Sequence, residues 1–398
     1  MSKRTILTTL AFLAFISLGL PDGLLGVSWP SIRADFSLPL DRLGLLVAAT
    51  TAGYLAASFM SGAVLRRVPI GMVLALSTLA AAIGLIGFAL TPVWPLMIAL
   101  GFLAGLGGGA VDAGLNAYGA RHFSPQILNW LHAFFGLGTT IGPLLVSGVL
   151  GSGLVWQMSY AIVASAQLAL AATFFLTRSR WEEVPEIGHD VEEELAAAPV
   201  SETLCKPVVW FGMLVFFFYS GIEVTAAQWS YTLLTLGRGF SETNAALVVG
   251  LFWGSLTIGR IGFGFMANRV PLLKTLRICI LMAALGALLL WLAPHPALGV
   301  LGLMMIGFFL APVFASLISL TPERVGREHA NSAIGFQIAA AGLGGAVITA
   351  LTGLMTRSFG LEIIGVVVFA ATLLLFVLYQ LFTRKRVVGD AELGRKNL

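Results

Sequence analysis

Five ionisable side chains interrupt otherwise apolar stretches of the sequence: Asp22, Asp112, His132, Glu223 and Arg260. A charged group costs free energy inside a lipid bilayer, so each of them is a candidate functional residue. A carboxyl group partly removed from water takes up a proton more readily than one in water. We therefore predict that Asp22, Asp112 and Glu223 bind a coupling ion, either a proton or sodium.

Two of these carboxylates have neighbours that indicate a binding site. Asn116 lies one helical turn after Asp112, so the two side chains share a helix face and can bind a hydroxylated solute. The alternative is that Asp112 pairs with a basic residue near the helix end. Asp22 follows Pro21, which frees backbone groups that can line a polar cavity. The alternative for Asp22 is a helix N-cap after a break.

Glu223 lies in the most polar stretch within a predicted span, between Tyr219 and Tyr231. Gln228 can bond to sugar hydroxyls and Trp229 can pack on a sugar ring. The alternative for Trp229 is the aromatic belt at the membrane surface. The predicted substrate-binding residues are Asp22, Asn116, Glu223, Gln228 and Trp229.

His132 and Arg260 are predicted to act in gating. Both lie toward one end of their spans, where His132 can instead satisfy a helix end. Arg260 can either snorkel to the membrane surface or clamp a gate by pairing with a carboxylate. Pro143 and Pro312 follow small residues and predict kinks in the fifth and tenth spans.

The composition of the chain indicates that the helices that position these groups are surrounded by lipid. Hydrophobic residues form 58% of the 398-residue chain and charged residues only 11%, against about 25% charged in soluble domains. Apolar stretches long enough to cross a bilayer recur along the chain. We predict an all-α membrane protein with twelve transmembrane helices, near residues 5–32, 41–65, 70–91, 94–118, 127–151, 154–178, 207–236, 243–267, 273–293, 296–320, 329–356 and 360–383.

The two halves of the sequence match at an offset of 202 residues, the distance from Arg67 to Arg269. Four matches share this offset: Arg67-Val68-Pro69 with Arg269-Val270-Pro271, Gly19 with Gly221, Gly105 with Gly307, and Asn129 with Asn331. Two six-helix repeats follow, with a binding site expected between them near mid-membrane.

The predicted domains are an N-terminal bundle (1–178), an acidic cytoplasmic linker (179–206), a C-terminal bundle (207–383) and a cytoplasmic tail (384–398). The linker holds 8 of the 19 acidic residues but lacks the ligand spacing of a metal site. Of the 23 lysines and arginines, 18 fall on the side of the two termini. The positive-inside rule therefore predicts a multi-pass protein of the cell inner membrane with both termini in the cytoplasm.

Several classes of protein are disfavoured. The first apolar run continues past Pro21 without an Ala-x-Ala site, so we expect it to remain as a span and not to be cleaved as a signal peptide. The net charge of +4 comes from short loops, so no nucleic-acid partner is expected. The sequence has no nucleotide-binding Gly-x4-Gly-Lys-Ser/Thr loop and no His-Glu-x2-His motif. We expect a secondary transporter, not an enzyme, with no cofactor and an ion gradient as energy source.

Five motifs resemble those of a known family: Gly19-Leu-Pro21-Asp22-Gly23, Gly109 to Asp112 to Asn116, Asn129-Trp130-x-His132-x2-Phe135-Gly136, Tyr219-x-Gly221-x-Glu223, and Phe252-Trp253-Gly254-x-Leu256-x-Ile258-Gly259-Arg260. Over essentially the whole chain they resemble the major facilitator superfamily (MFS). Within it they resemble the fucose/glucose-type sugar symporters (FHS) and their sodium-glucose-transporter-like relatives.

The resemblance implies cation-coupled symport of a sugar by alternating access. In fucose/proton symporters an acid in span one and an acid in span four carry sugar binding and proton coupling. Asp22 and Asp112 match these positions, although span four there has the longer Glu. The expected partners are a small-molecule substrate and the lipid bilayer, and the expected functional unit is a monomer.

One motif favours a different direction of transport. Gly138-x3-Gly142-Pro143 is similar to the span-five motif of drug antiporters. The alternative function is therefore a proton-driven exporter of drugs or other amphipathic small molecules.

Overall fold

The computed structural model describes residues 3–181, 199–266, 269–293 and 295–383, and nearly all of them are helical. The helices are α1 (Lys3–Asp35), α2 (Arg42–Leu65), α3 (Ile70–Leu90), α4 (Trp94–His122), α5 (Pro125–Gly151), α6 (Gln157–Leu176), α7 (Val200–Leu204), α8 (Pro207–Thr232), α9 (Glu242–Met266), α10 (Leu272–Leu292), α11 (Pro296–Leu310), α12 (Val313–Val325), α13 (Arg327–Phe359) and α14 (Ile363–Thr383). Together they supply twelve spans long and apolar enough to cross a bilayer. The predicted fold class is confirmed.

The repeat seen in the sequence is also present in the packing. Helices α3 and α10 both follow a proline, Pro69 or Pro271, and each has 21 residues. In the first half α1 packs on α5, α2 on α4, and α3 on both α4 and α6; α8 with α13, α9 with α11, and α10 with α11 and α14 repeat these contacts in the second half.

Two glycines show how closely the repeat is kept. A Cβ atom at Gly105 would lie 1.9 Å from the carbonyl oxygen of Thr50, and one at Gly307 would lie 2.5 Å from that of Phe252. The contact partners are themselves 202 residues apart, as the two glycines are. The absence of a side chain therefore allows the same close helix contact in both halves.

The prolines Pro21, Pro143 and Pro312 affect their spans differently. The tenth span, predicted as one helix, ends at Leu310 and begins again at Val313, so the kink predicted at Pro312 is confirmed. By contrast, α5 is continuous through Pro143, and α1 is continuous through Pro21. Because Pro21 has no N–H, it cannot bond to the carbonyl of Ser17. That carbonyl instead accepts a 3.1 Å hydrogen bond from Nε2 of Gln167 on α6.

Only the ends of the predicted linker are described. A short 3₁₀ turn at Arg178–Trp181 follows the first bundle, and α7 precedes the second. Residues 182–198, which carry most of the acidic charge, and the predicted tail 384–398 lie outside the described residues. The domain boundaries remain predictions.

The two halves meet tightly at the end of the bundle opposite the N-terminus. Helix α2 packs on α13, α1 on α8, and α5 on α9. A Cβ atom at Gly44 would lie 2.4 Å from Cα of Ala350, and one at Gly26 would lie 2.9 Å from Cα of Gln228. We call this contact zone the seal.

Candidate functional site

The position of Asp22 is determined by the packing of α1 on α5. A Cβ atom at Gly19 would lie 2.2 Å from the carbonyl oxygen of Phe135, and one at Gly23 would lie 2.5 Å from that of Thr139. Residues 23–29 are all buried, whereas Asp22 is exposed although it lies deep in the bundle. Its carboxylate therefore lines the space between the halves, just below the seal. Because α1 is continuous here, the N-cap alternative for Asp22 is wrong.

Asp112 is the centre of a hydrogen-bonded group in the first half. The hydroxyl of Tyr54 on α2 donates to Oδ2 of Asp112 over 2.5 Å, and Nδ2 of Asn116 donates to Oδ1 over 2.9 Å. The predicted contact between Asp112 and Asn116 is confirmed. In the described residues Asp112 forms no ion pair, so the alternative of a basic partner is not observed.

Glu223 has corresponding partners in the second half. The hydroxyl of Tyr219, one turn earlier on α8, donates to Oε2 of Glu223. Nη2 of Arg260 on α9 lies 3.6 Å from Oε1 of the same carboxylate. The side chain of Glu223 is 13% exposed and that of Arg260 is 26% exposed. Of the alternatives for Arg260, the structure shows pairing with a carboxylate.

His132 lies near both groups. It is exposed within α5, packs edge-on against Phe15 with 5.4 Å between the ring centres, and interacts electrostatically with both Asp112 and Arg260. Asp22 interacts in the same way with Glu223 across the halves. The five ionisable residues singled out by the sequence therefore lie in one region, contributed by both repeats.

Gln228 and Trp229 belong to the seal in this conformation. Gln228 is 6% exposed, and its Nε2 donates over 3.3 Å to the backbone oxygen of Asp22, while its Oε1 has no hydrogen-bond partner. Trp229 is fully buried and donates from Nε1 to the oxygen of Thr349 over 3.1 Å. Trp229 is therefore not in the aromatic belt at the membrane surface, and its ring packs on the helix contact of the seal.

A second space lies at the side of the bundle. A cavity of about 400 Å³ lies between α5 of the first half and α9 and α11 of the second. Its walls are apolar and include Leu144, Leu247, Ile258, Met304 and Phe308. None of the five ionisable residues lines it, so we place the chemistry at the polar region between the halves and not in this apolar cavity.

Three features of the site were missed at sequence level. Tyr54 is the one tyrosine in the sequence of the second span, and its phenol group among small residues was the available signal. Gln167 gave a similar signal as an amide in the sixth span. The third is an ion pair between Asp41 and Arg357, which no sequence pattern indicates because its partners are in different halves.

The sequence is similar over most of its length to a sugar transporter and to a second bacterial protein. The glucose/mannose transporter GlcP of Bacillus subtilis (strain 168) is 22% identical over 365 residues, covering 89% of this chain and 88% of GlcP. Protein TsgA of Escherichia coli O6:K15:H31 is 23% identical over 330 residues, covering 81% of each chain.

Known structures show the same fold. A bacterial homologue of the human lysosomal transporter Spinster, inward-facing and occupied, has a TM-score of 0.80 and 14% identity and covers 97% of this chain and 98% of its own. FucP in the outward conformation has a TM-score of 0.66 and 16% identity, with 96% and 100% coverage. The model of one family matches residues 10–349 and 263–396. The chain belongs to the Major Facilitator Superfamily and is a multi-pass membrane protein of the transporter type.

Proposed function

We propose that this protein is a cation-coupled sugar symporter that works by alternating access. The observation that carries the proposal is the group of three carboxylates, Asp22, Asp112 and Glu223, that both repeats direct toward the space between them. Carboxylates in this position can bind a proton or sodium and accept hydrogen bonds from a substrate.

The substrate class follows from the hydrogen-bonding groups available. Many hydrogen-bond acceptors lie within a small region: the carboxylate oxygens, the amide of Asn116 and the free Oε1 of Gln228. Sugar hydroxyls both donate and accept, so they match such a set, whereas an apolar solute would leave it unpaired. The names of two similar proteins agree with this class: a glucose/mannose transporter and a fucose:proton symporter.

The proposed direction is uptake. With both termini in the cytoplasm, as the basic residues predict, the seal is on the outer side and Asp22 is reached from the inside. The structure then corresponds to the state that releases substrate to the cytoplasm. Opening of the seal would expose Gln228 and Trp229 to sugar arriving from outside.

The apolar side cavity favours a second candidate. Its 400 Å³ space has room for an amphipathic molecule, and its exposed walls such as Ile258 and Leu247 face lipid. An exporter of amphipathic compounds would take its substrate from there.

Transport into proteoliposomes separates the two candidates. Purified protein is reconstituted, a proton or sodium gradient is imposed, and uptake of labelled D-glucose, D-mannose, L-fucose and a nucleoside is measured beside efflux of a cationic amphipathic dye. We expect gradient-driven accumulation of a sugar, lost in Asp22→Asn and Asp112→Asn.

Asp35→Asn is the matched control, because Asp35 is a carboxylate at the end of α1 that bonds to Trp156 and Gln157 outside the site. It should retain uptake. Dye efflux driven by the proton gradient, with no sugar uptake, would exclude the symporter hypothesis and support the exporter hypothesis.

A further inference from the structure

The site has more negatively charged than positively charged side chains. Three carboxylates face the space between the halves, and Arg260 is the one guanidinium that pairs with any of them among the described residues. Arg260 pairs with Glu223. In the described part of the chain neither Asp22 nor Asp112 forms an ion pair, so two negative charges remain without a counter-ion.

Glu223 is compensated on both oxygens. Tyr219 donates to one of them, and the guanidinium of Arg260 lies beside the other. Neutralising Glu223 would leave the Arg260 guanidinium as an unpaired charge in a poorly hydrated place. The free-energy cost of that unpaired charge exceeds the gain from neutralising the carboxylate. We infer that Glu223 serves as the fixed counter-ion of Arg260 and not as a carrier of a coupling cation.

Among the described residues no lysine or arginine pairs with either of the other two carboxylates. Around Asp22 the interacting groups are Glu223 on α8 and Tyr54 on α2. Around Asp112 they are Tyr54 and, on α5, His132. Helices α3 and α6, which also pack in this half, contain no acidic or basic residue.

An occluded site must be close to electrically neutral. When both ends are closed, water no longer stabilises the charges, so an unpaired carboxylate is strongly unfavourable there. We propose, on the basis of the proposed function, that two monovalent cations bind in each cycle, one at Asp22 and one at Asp112, and that both accompany one neutral sugar.

The dependence of accumulation on the gradient tests the number of cations. Proteoliposomes are clamped at zero membrane potential with valinomycin and equal potassium, and D-glucose or D-mannose accumulation is measured against a proton or sodium gradient. For a tenfold gradient, two coupled cations give about 100-fold accumulation and one gives about tenfold. A linear dependence in the native protein overturns the proposal.

Variants assign the sites. Asp22→Asn and Asp112→Asn are each expected to abolish accumulation, so neither should show the square dependence on the gradient, while Asp35→Asn should keep it. If His132 in its charged form compensates Asp112, His132→Asn will change the native dependence, and the assignment of a cation to Asp112 is then wrong.

A measurement without sugar keeps this proposal separate from the proposed function. Infrared difference spectra between the native protein and each variant report protonation of the substituted carboxyl group as pH falls, and sodium-22 binding reports sodium. We expect two sites in the native protein, one fewer in Asp22→Asn or Asp112→Asn, and two in the double variant Glu223→Gln with Arg260→Gln. If Glu223 titrates together with the two aspartates, the fixed counter-ion role is refuted whether or not any sugar is transported.

Discussion

Asp41 and Arg357 form an ion pair that joins the two halves of the protein: Nη2 of Arg357 lies 2.6 Å from Oδ1 of Asp41. Asp41 precedes α2 and Arg357 is in the last turn of α13, so the pair lies at the outer edge of the seal. The Asp41 side chain is 9% exposed and that of Arg357 is 49% exposed. In the proposed function we expect this contact only while the seal is closed, because alternating access would separate these helices.

Loss of this ion pair should open the seal. Asp41→Asn removes the charge with little change in shape, and a half-exposed pair contributes about 1 kcal/mol, or about a fivefold shift in the equilibrium. Spin labels on the outer ends of α2 and α13 should report a larger fraction of the separated state by electron-electron resonance. Exchange of the two residues, Asp41→Arg with Arg357→Asp, should restore the native distances; unchanged distances in Asp41→Asn would rule out this role.

A side chain at Gly26 should have the same effect by sterics. Its Cβ would lie 2.9 Å from both Cα and O of Gln228 across the seal, a distance that requires the helices to separate. A membrane-impermeant maleimide is therefore expected to label a cysteine placed in the seal several-fold more in Gly26→Ala than in the native protein. Gly148→Ala is the control, since nothing lies within 4 Å of that position. Equal labelling of the two variants would contradict the prediction.

The hydroxyl of Tyr54 should influence the affinity of Asp112 for its cation. Tyr54→Phe removes a hydrogen bond to a carboxylate, which contributes about 1.5–3 kcal/mol. We expect a roughly tenfold or greater change in the cation concentration that half-saturates uptake, with less effect on stability. Tyr118→Phe is matched, because Tyr118 is a buried tyrosine on α4 whose hydroxyl has no hydrogen-bond partner among the described residues. If both variants behave alike, Tyr54 has only a packing role.

The hydrogen bond from Gln167 should compensate for Pro21. Gln167→Leu leaves the oxygen of Ser17 without a donor and is expected to cost about 1–3 kcal/mol of stability, read as a lower thermal midpoint in detergent. In a chain that also carries Pro21→Ala, the restored backbone N–H satisfies Ser17, so Gln167→Leu should cost much less. Additive losses in the double variant would show that the two residues act independently.

The sequence alone determines the number of spans, the repeat and the candidate acids. Lipid requires each span to satisfy its own backbone hydrogen bonds, so span positions follow from local composition. The match of Pro69 with Pro271 predicted two helices that begin at equivalent places, and they do. An acid in an apolar stretch, such as Asp22 or Glu223, is visible without any structure because its cost is local.

Only the tertiary structure decides which side chains meet. Tyr54 reaches Asp112 across 58 residues, and Asp41 finds Arg357 in the other half. These pairings depend on the close approach of glycine-lined helix faces, such as Gly105 on Thr50, and no local pattern encodes the rotation of one helix against another. For the same reason the sequence showed three candidate carboxylates, whereas the fold shows that, within the described residues, Glu223 is the one of the three with a guanidinium partner.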